Sequence, residues 1–187
     1  MNLFDLLFLA IFLATAIVLI YAAYCSLRGR VAKAGKVVLG AAMFWAIYLG
    51  IVTAVSFAKP RRVLAIGERR CFDDWCLTVQ RVEHGRPFKV TLRVYSDAKR
   101  VTQSAPDNRV FLEDEAGKRY PAGPENGQPP FSKMIGPGES YDTIREFDVP
   151  AGVKIVGLVV GHSGVGPGAL IIGDDDAIFH KAAIVKF

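Results

Sequence analysis

The chain has no charge where it is most apolar. Of its 187 residues 51% are hydrophobic, which excludes an intrinsically disordered protein, and no Asp, Glu, Lys or Arg occurs in Leu6–Leu27 or Val37–Ala58. A helix rises about 1.5 Å per residue, so each run is long enough to cross a hydrocarbon core of about 30 Å. The sequence therefore predicts a hairpin of two transmembrane helices, at about 5–27 and 37–58. The lack of charge inside the spans argues against transport or channel activity.

Acidic residues are nearly absent beside the two spans. Asp5 is the only one before residue 60, whereas the predicted loop at 28–36 contains four basic residues: Arg28, Arg30, Lys33 and Lys36. By the positive-inside rule this loop lies in the cytoplasm, which places the C-terminal domain outside it, in the periplasm or at the cell surface. Lys59, Arg61 and Arg62 flank the second span and oppose this assignment. We give the first helix more weight because it usually sets the orientation.

The remainder of the chain has no surplus of positive charge. From Pro60 onward basic and acidic residues nearly balance, so the pI of about 9.2 comes from the segments beside the membrane. Nucleic-acid binding needs a basic face that displaces counterions, and we therefore expect no nucleic-acid partner. The expected partners are the lipid bilayer and a protein or another component of the cell envelope.

The first span also lacks the basic leading segment and the small-residue cleavage pattern of a signal peptide, so we expect both helices to be retained. In the second span small residues recur every four positions: Ala42, Ala46, Gly50 and Ala54. Such a face lets helix backbones approach closely in lipid. It predicts the contact between the two helices of the hairpin or, alternatively, a homo-oligomer formed through the same face.

No window after Pro60 sustains a helical period for three turns. Apolar residues alternate instead, most clearly in Phe88–Tyr95 and less strictly in Trp75–Val82, which is typical of half-buried strands. Further short candidates lie at 109–113, 141–149, 155–161 and 182–187, and Gly- and Pro-rich turns separate them. About seven or eight strands without crossover helices predict an antiparallel β-sandwich over 60–187. The predicted fold class is a membrane-anchored all-β protein.

Three stretches of this domain carry a resemblance to a known family. They are Val90–Tyr95, the Phe111–Tyr120 hairpin, and Pro137–Glu139 followed by Phe147–Pro150. Over roughly 62–160 the chain resembles the bacterial immunoglobulin-like domains of unknown function that are tethered outside the cytoplasmic membrane. The resemblance implies an immunoglobulin-like β-sandwich and an extracytoplasmic location, and it implies no reaction.

Cysteine is scarce, with three residues in the chain. Cys71 and Cys76 are separated by a segment containing Asp73 and Asp74, which favour a turn. We predict a disulfide between them, formed in an oxidising compartment. A redox-active pair is an alternative that lacks the C-x-x-C spacing, and a metal site would need two further ligands. Trp75 is predicted to pack on the disulfide in the core or, alternatively, to stack on a ligand.

Histidine is equally scarce, which limits metal sites. The three carboxylates Asp174, Asp175 and Asp176 are followed by His180, and carboxylate oxygens suit hard cations such as Ca²⁺. The spacing lacks the alternating ligands and closing Glu of a calcium loop, so we favour a solvated turn and expect no cofactor. The alternative function is an extracytoplasmic metal-binding or redox protein that uses this cluster or the two cysteines.

An activated nucleophile is missing as well. The sequence offers no convincing Ser-His-Asp set and no paired carboxylates in a context suited to glycoside hydrolysis, so we do not expect an enzyme. We predict a membrane-tethered interaction module that contacts its partner through loops at one end of the sandwich. The segment 122–137 is the first candidate for that contact. Asn126 and Phe131, together with Trp75, are the candidate contact residues.

Overall fold

Two long helices open the chain. The computed structural model describes residues 3–162, 167–175 and 177–187; α1 spans Leu3–Leu27 and α2 spans Val31–Ala58. Both are long and apolar enough to cross a membrane, with mean hydropathies of 2.8 and 2.1 in their most apolar windows. The predicted loop at 28–36 is too long, because α2 begins at Val31. Gly29, with φ of 71°, ends α1 in a conformation that a side chain would disfavour.

The small-residue face of α2 is not its buried face. The four buried side chains of α2 recur at helical spacing: Ala34, Tyr48, Val52 and Ser56. Trp45 adds a hydrogen bond, with its Nε1 donating to Oγ1 of Thr15 on α1 over 3.1 Å. The predicted small-residue face is exposed instead, at Ala42, Ala46, Gly50 and Ala54. The hairpin contact assigned to that face is therefore wrong, and the homo-oligomer through it stays a prediction.

Among the described residues, nine strands follow the helices. They are β1 (Val63–Leu64), β2 (Arg69–Phe72), β3 (Trp75–Glu83), β4 (Phe88–Ser96), β5 (Asn108–Asp114), β6 (Arg119–Pro121), β7 (Ser140–Phe147), β8 (Ile155–His162) and β9 (Ile184–Lys186). One sheet has the order β1-β9-β8-β5-β6 and the other β2-β3-β4-β7. All strand pairs are antiparallel except β1 with β9. The predicted β-sandwich is confirmed, while β1 and β2 were missed because neither has a readable alternation.

The core lies between the two sheets. Its fully buried side chains come from both sheets and include Leu77, Leu92, Leu112, Phe147 and Leu158. Leu92 belongs to β4, in which inward apolar residues alternate with outward polar ones, whereas Leu158 lies in β8, where Val159 and Val160 are buried as well. Burial of large side chains on both inner faces is the main stabilising term of such a sandwich.

The boundary between the two units differs from the prediction. The sandwich comprises Arg61–Gly164 and Ala182–Phe187, whereas Val165–Lys181, predicted as part of it, groups with the helices. In that helical unit the hydroxyl of Tyr48 donates to the carbonyl oxygen of Leu170 over 2.8 Å. Lys59 Nζ lies 2.8 Å from Asp175 Oδ1. These polar contacts explain why the segment joins α2.

Candidate functional site

A cleft of about 390 Å³ opens in the sandwich beside β5, β6 and β7. Its walls are polar and apolar in about equal parts, and the apolar part includes Phe111, Pro121, Pro130 and Phe131. A volume in this range is typical of small-ligand sites. The cleft is therefore the candidate site, and its two buried polar side chains define its chemistry.

Asn108 is the first of these two side chains. It is the first residue of β5, where the inward positions alternate, and the next two along the strand, Val110 and Leu112, belong to the core. Asn108 is 1% exposed, and neither its side-chain oxygen nor its side-chain nitrogen has a hydrogen-bond partner. A buried amide without partners costs about 1–3 kcal/mol. Asn108 is also one of the residues that line the cleft.

Arg145 is the second. It occupies an inward position on β7, between the fully buried Thr143 and Phe147, and its guanidinium lies 4.6 Å from the ring centroid of Phe131. Nη2 donates to the carbonyl oxygen of Pro129 over 3.0 Å, whereas Nη1 has no partner.

The charge of Arg145 is only partly compensated. Its Nη2 lies 3.4 Å from Oε1 of Glu125, a side chain that is half exposed. Burial lowers the pKa of Arg145, but a guanidinium stays protonated at neutral pH. Arg145 is therefore a buried cation beside the cleft, and its Nη1 has no hydrogen-bond partner in the protein.

The segment before β7 forms one wall of the cleft. It is fixed by two β7 side chains: the hydroxyl of Tyr141 donates to the carbonyl oxygen of Pro130, and that of Thr143 to Pro129, each over 2.9 Å. Burial raises the pKa of Tyr141 to about 12, so this phenol remains a donor at physiological pH. These hydrogen bonds attach this wall of the cleft to strand β7.

The three predicted contact residues lie in different surroundings. Phe131 lines the cleft, and its role as a contact residue stays a prediction. Asn126 lies in an exposed turn with φ of 47°, beside a separate depression of about 170 Å³. Trp75 is 1% exposed and packs edge-on against Phe131 at 5.5 Å, so it cannot stack on a ligand and instead supports the cleft from the core.

Asn108 and Arg145 were missed. Arg145 carried a signal, because an Arg at an inward position between two core residues is costly unless it is used. Asn108 carried none, since it follows a Pro-Asp pair and its type is typical of turns.

The predicted disulfide is present. Cys71 and Cys76 face each other in the β2–β3 hairpin with a Cα–Cα distance of 4.0 Å, and Asp73 takes a positive φ of 52° at the turn. Asp97 lies beside the pair. In the part of the chain that the structure describes, these three residues are the only cluster of metal-type ligands, and the disulfide removes both thiolates from it.

The acidic segment does not gather its described ligands around one point. Asp175 forms its ion pair with Lys59, and Nδ1 of His180 lies 3.3 Å from the carbonyl oxygen of Ser56. Asp176 lies outside the described residues. Asp174, Asp175 and His180 form no cluster of metal-type ligands within those residues. The cleft therefore remains the candidate functional site.

No protein-family model matches the chain, and no curated protein matches it. Two solved structures are similar in fold. The secreted protein MPT63 from Mycobacterium tuberculosis is 14% identical, with 55% of this chain and 91% of that chain covered at a TM-score of 0.42. An uncharacterized β-sandwich protein from Clostridium difficile 630 is 13% identical, with 69% and 95% covered at a TM-score of 0.46. Neither similarity bears on function.

Proposed function

We propose that the chain is a membrane-anchored, extracytoplasmic, immunoglobulin-like module that binds a ligand in the cleft beside β5 and β7. The observation that carries this proposal is the lining of the cleft, where the buried side chains of Asn108 and Arg145 stand beside the apolar residues Phe111 and Phe131. A buried guanidinium is costly unless a partner uses its charge, and a ligand in the cleft would be such a partner.

The strand order supports an immunoglobulin-like sandwich. In that fold strands A, B and E are neighbours in one sheet, and C, F and G in the other, to which variable domains add C′. The order β3-β4-β7 fits A-B-E, and β6-β5-β8-β9 fits C′-C-F-G. The two series also follow one another along the chain in the same sequence. The cleft then lies at the C′ and E side of the sandwich.

Two features support an outside location. The disulfide belongs to an oxidising compartment. At the α1–α2 turn the guanidinium of Arg28 lies 5.4 Å from the ring of Tyr24, and Nζ of Lys33 lies 5.5 Å from the ring of Tyr21. Tyrosine rings with basic neighbours are typical of a membrane interface on the cytoplasmic side.

The side chains at the cleft favour binding over catalysis. The described residues that line it include one carboxylate, Glu125, which is paired with Arg145. Ser132 is the one hydroxyl among them, and the lining includes no His, Cys or Lys that could act as its base. We therefore propose recognition without chemical conversion.

The location is tested with Ser132→Cys in full-length protein, labelled in intact cells with a membrane-impermeant maleimide. We expect labelling without lysis, because Ser132 is exposed. Labelling only after lysis would place the domain in the cytoplasm and refute the proposal. Leu27→Cys, beside the turn between the helices, is the matched control and should label only after lysis.

Binding is tested by thermal unfolding of the full-length protein in detergent with panels of small carboxylates, amides and neutral sugars. A ligand raises the melting temperature through RT ln(1 + [L]/Kd). We expect at least one class to stabilise the natural protein but not the Arg145→Met variant. Equal shifts in both proteins, or none in either, would refute a ligand-binding role for the cleft.

A further inference from the structure

We propose that the chain has a third membrane element. The connection between β8 and β9 folds back along α2 and inserts Leu170–Ile172 into the hydrocarbon of the leaflet at the C-terminal end of that helix. The partner of this segment is the layer of lipid acyl chains. The inference rests on the proposed membrane anchoring and goes beyond it, because it assigns a connection within the C-terminal part of the chain to the bilayer.

The connection contacts α2 well before the helix ends. The hydroxyl of Tyr48 donates to the carbonyl oxygen of Leu170 over 2.8 Å. A side chain at Gly173 would meet Cγ1 of Val55 at 4.0 Å. Tyr48 lies ten residues before Ala58, the last residue of α2, which corresponds to about 15 Å along the helix axis. A tyrosine side chain is shorter than this distance, so Leu170 lies beside the body of the span.

The exposed apolar surface of both helices continues to this end. Nε1 of Trp45 donates to Oγ1 of Thr15, which places these two residues at one level of the hairpin. Leu3 comes twelve residues before Thr15 and Phe57 twelve after Trp45, so both lie at the same outer end, with exposed fractions of 76% and 72%. Apolar side chains exposed to this extent on such helices face lipid. The hydrocarbon therefore extends beyond the level of Tyr48.

The charges of the connection lie where the hydrocarbon ends. Pro167–Gly173 contains no charged residue. The acidic residues that follow it include Asp175, and Oδ1 of this residue lies 2.8 Å from Nζ of Lys59, directly after the last residue of α2. A charge within the hydrocarbon is costly, whereas an ion pair at its edge is not. The apolar part of the segment is therefore the part that enters the bilayer.

Two apolar side chains remain exposed where the connection returns. Ile178 and Phe179 are 38% and 61% exposed, and the ring of Phe179 stacks on that of Phe57 at a centroid distance of 5.8 Å. The two rings thus form one apolar surface with the outer end of α2. Acyl chains would cover this surface as they cover the helix.

The backbone of the connection is suited to a medium without water. Irregular backbone is tolerated at membrane depth only where the protein supplies its hydrogen bonds. In this segment five carbonyl oxygens accept a hydrogen bond from the protein, those of Gly168, Ala169, Leu170, Ile171 and Gly173. Two of the donors are side chains of α2 and its C-cap, Tyr48 and Lys59. Solvent would supply these bonds to a loop in water, so their provision by side chains favours the bilayer.

The test measures the depth of the connection by spin labelling of full-length protein in vesicles of phosphatidylethanolamine and phosphatidylglycerol. Cys25→Ala removes the free thiol, and the disulfide protects the other two cysteines. A nitroxide is attached to Ile172→Cys or, in a second variant, to Ile178→Cys, where the natural side chain is already exposed. Its collision rates with O2, which concentrates in hydrocarbon, and with a water-soluble nickel chelate are compared.

Leu49→Cys on α2 is the control for hydrocarbon and Met134→Cys on the sandwich the control for water, because both natural side chains are apolar and exposed, at 40% and 58%. We expect the ratio of O2 to nickel collisions at Ile172 and Ile178 to resemble that at Leu49. A ratio like that of Met134 at either position would overturn the inference and leave the anchoring intact. Rare collision with both reagents, as under a protein cover, would also overturn it. Frequent nickel collision at Leu49 would refute the membrane anchoring as well.

Discussion

Because the side-chain amide of Asn108 has no partner, we predict that an apolar replacement stabilises the protein. Asn108 is 1% exposed, and both of its side-chain polar atoms lack partners. Replacement by Leu, which is similar in size, removes the desolvation penalty and adds apolar burial. The free energy of unfolding should rise by about 1–3 kcal/mol, which raises the melting temperature by roughly 2–4 °C per kcal/mol in a chain of this length.

Thr143→Val is the matched control. Thr143 is as buried as Asn108, but its hydroxyl donates to the carbonyl oxygen of Pro129 over 2.9 Å. The isosteric replacement removes a formed hydrogen bond, so stability should fall by about 1 kcal/mol. The two substitutions are similar in kind, buried polar to apolar, and differ in whether a partner exists. Their effects should therefore have opposite signs.

The assay is thermal unfolding of the full-length protein in detergent, followed by the β-sheet signal in circular dichroism. The Asn108→Leu variant should melt at a higher temperature than the natural protein. A lower melting temperature for Asn108→Leu would show that the amide stabilises the free protein. Asn108 would then have a structural role, and the unpartnered amide would carry no penalty.

Three further predictions concern other parts of the chain. Cys71→Ser opens a small loop and should lower stability by about 2 kcal/mol with unchanged sheet content; an unchanged melt under oxidising conditions would contradict it. Hydrogen bonds from Arg61 hold the pKa of Glu113 below its usual 4.5, so this pair stabilises the fold above pH 4.5, and the contribution is lost as the pH falls through the lower folded pKa. Glu113→Gln should lower the free energy of unfolding by about 1–3 kcal/mol at pH 7 and should weaken the loss of stability between pH 4.5 and more acidic pH. An unchanged loss of stability in acid would count against the pair. Tyr48→Phe removes the hydrogen bond to the carbonyl oxygen of Leu170. Amide hydrogen exchange in residues 168–175 should then be about fivefold faster, because the lost bond contributes about 1 kcal/mol. Unchanged exchange would refute that contact.

Local pattern was sufficient for much of the fold. Alternation in Phe88–Tyr95 predicted β4 within a residue at its end, and turn-forming aspartates between Cys71 and Cys76 predicted the disulfide hairpin. These features depend on residues close in sequence. The short β1 could not be predicted, because its two residues become a strand only through pairing with β9 at the other end of the domain.

The candidate site was only partly predictable for a related reason. The sequence could point to Phe131 because it lies in a long segment rich in Gly and Pro, where binding residues are common. Arg145 and Asn108 gain their meaning from burial and from the absence of partners, and those properties belong to the packed structure. A sequence shows that a polar residue exists but not that the fold leaves it without hydrogen bonds.

The segment Val165–Lys181 changes what proteolytic shedding would require. Cleavage after Pro60 cuts the covalent link to the helices, yet the β8–β9 connection still belongs to the helical unit, through the contacts of Tyr48 with Leu170 and of Lys59 with Asp175. After that cut the sandwich would therefore stay with the helices until this segment is extracted as well. A fragment that starts at Arg61 would likewise contain Val165–Lys181 but lack α2, the helix that this segment contacts.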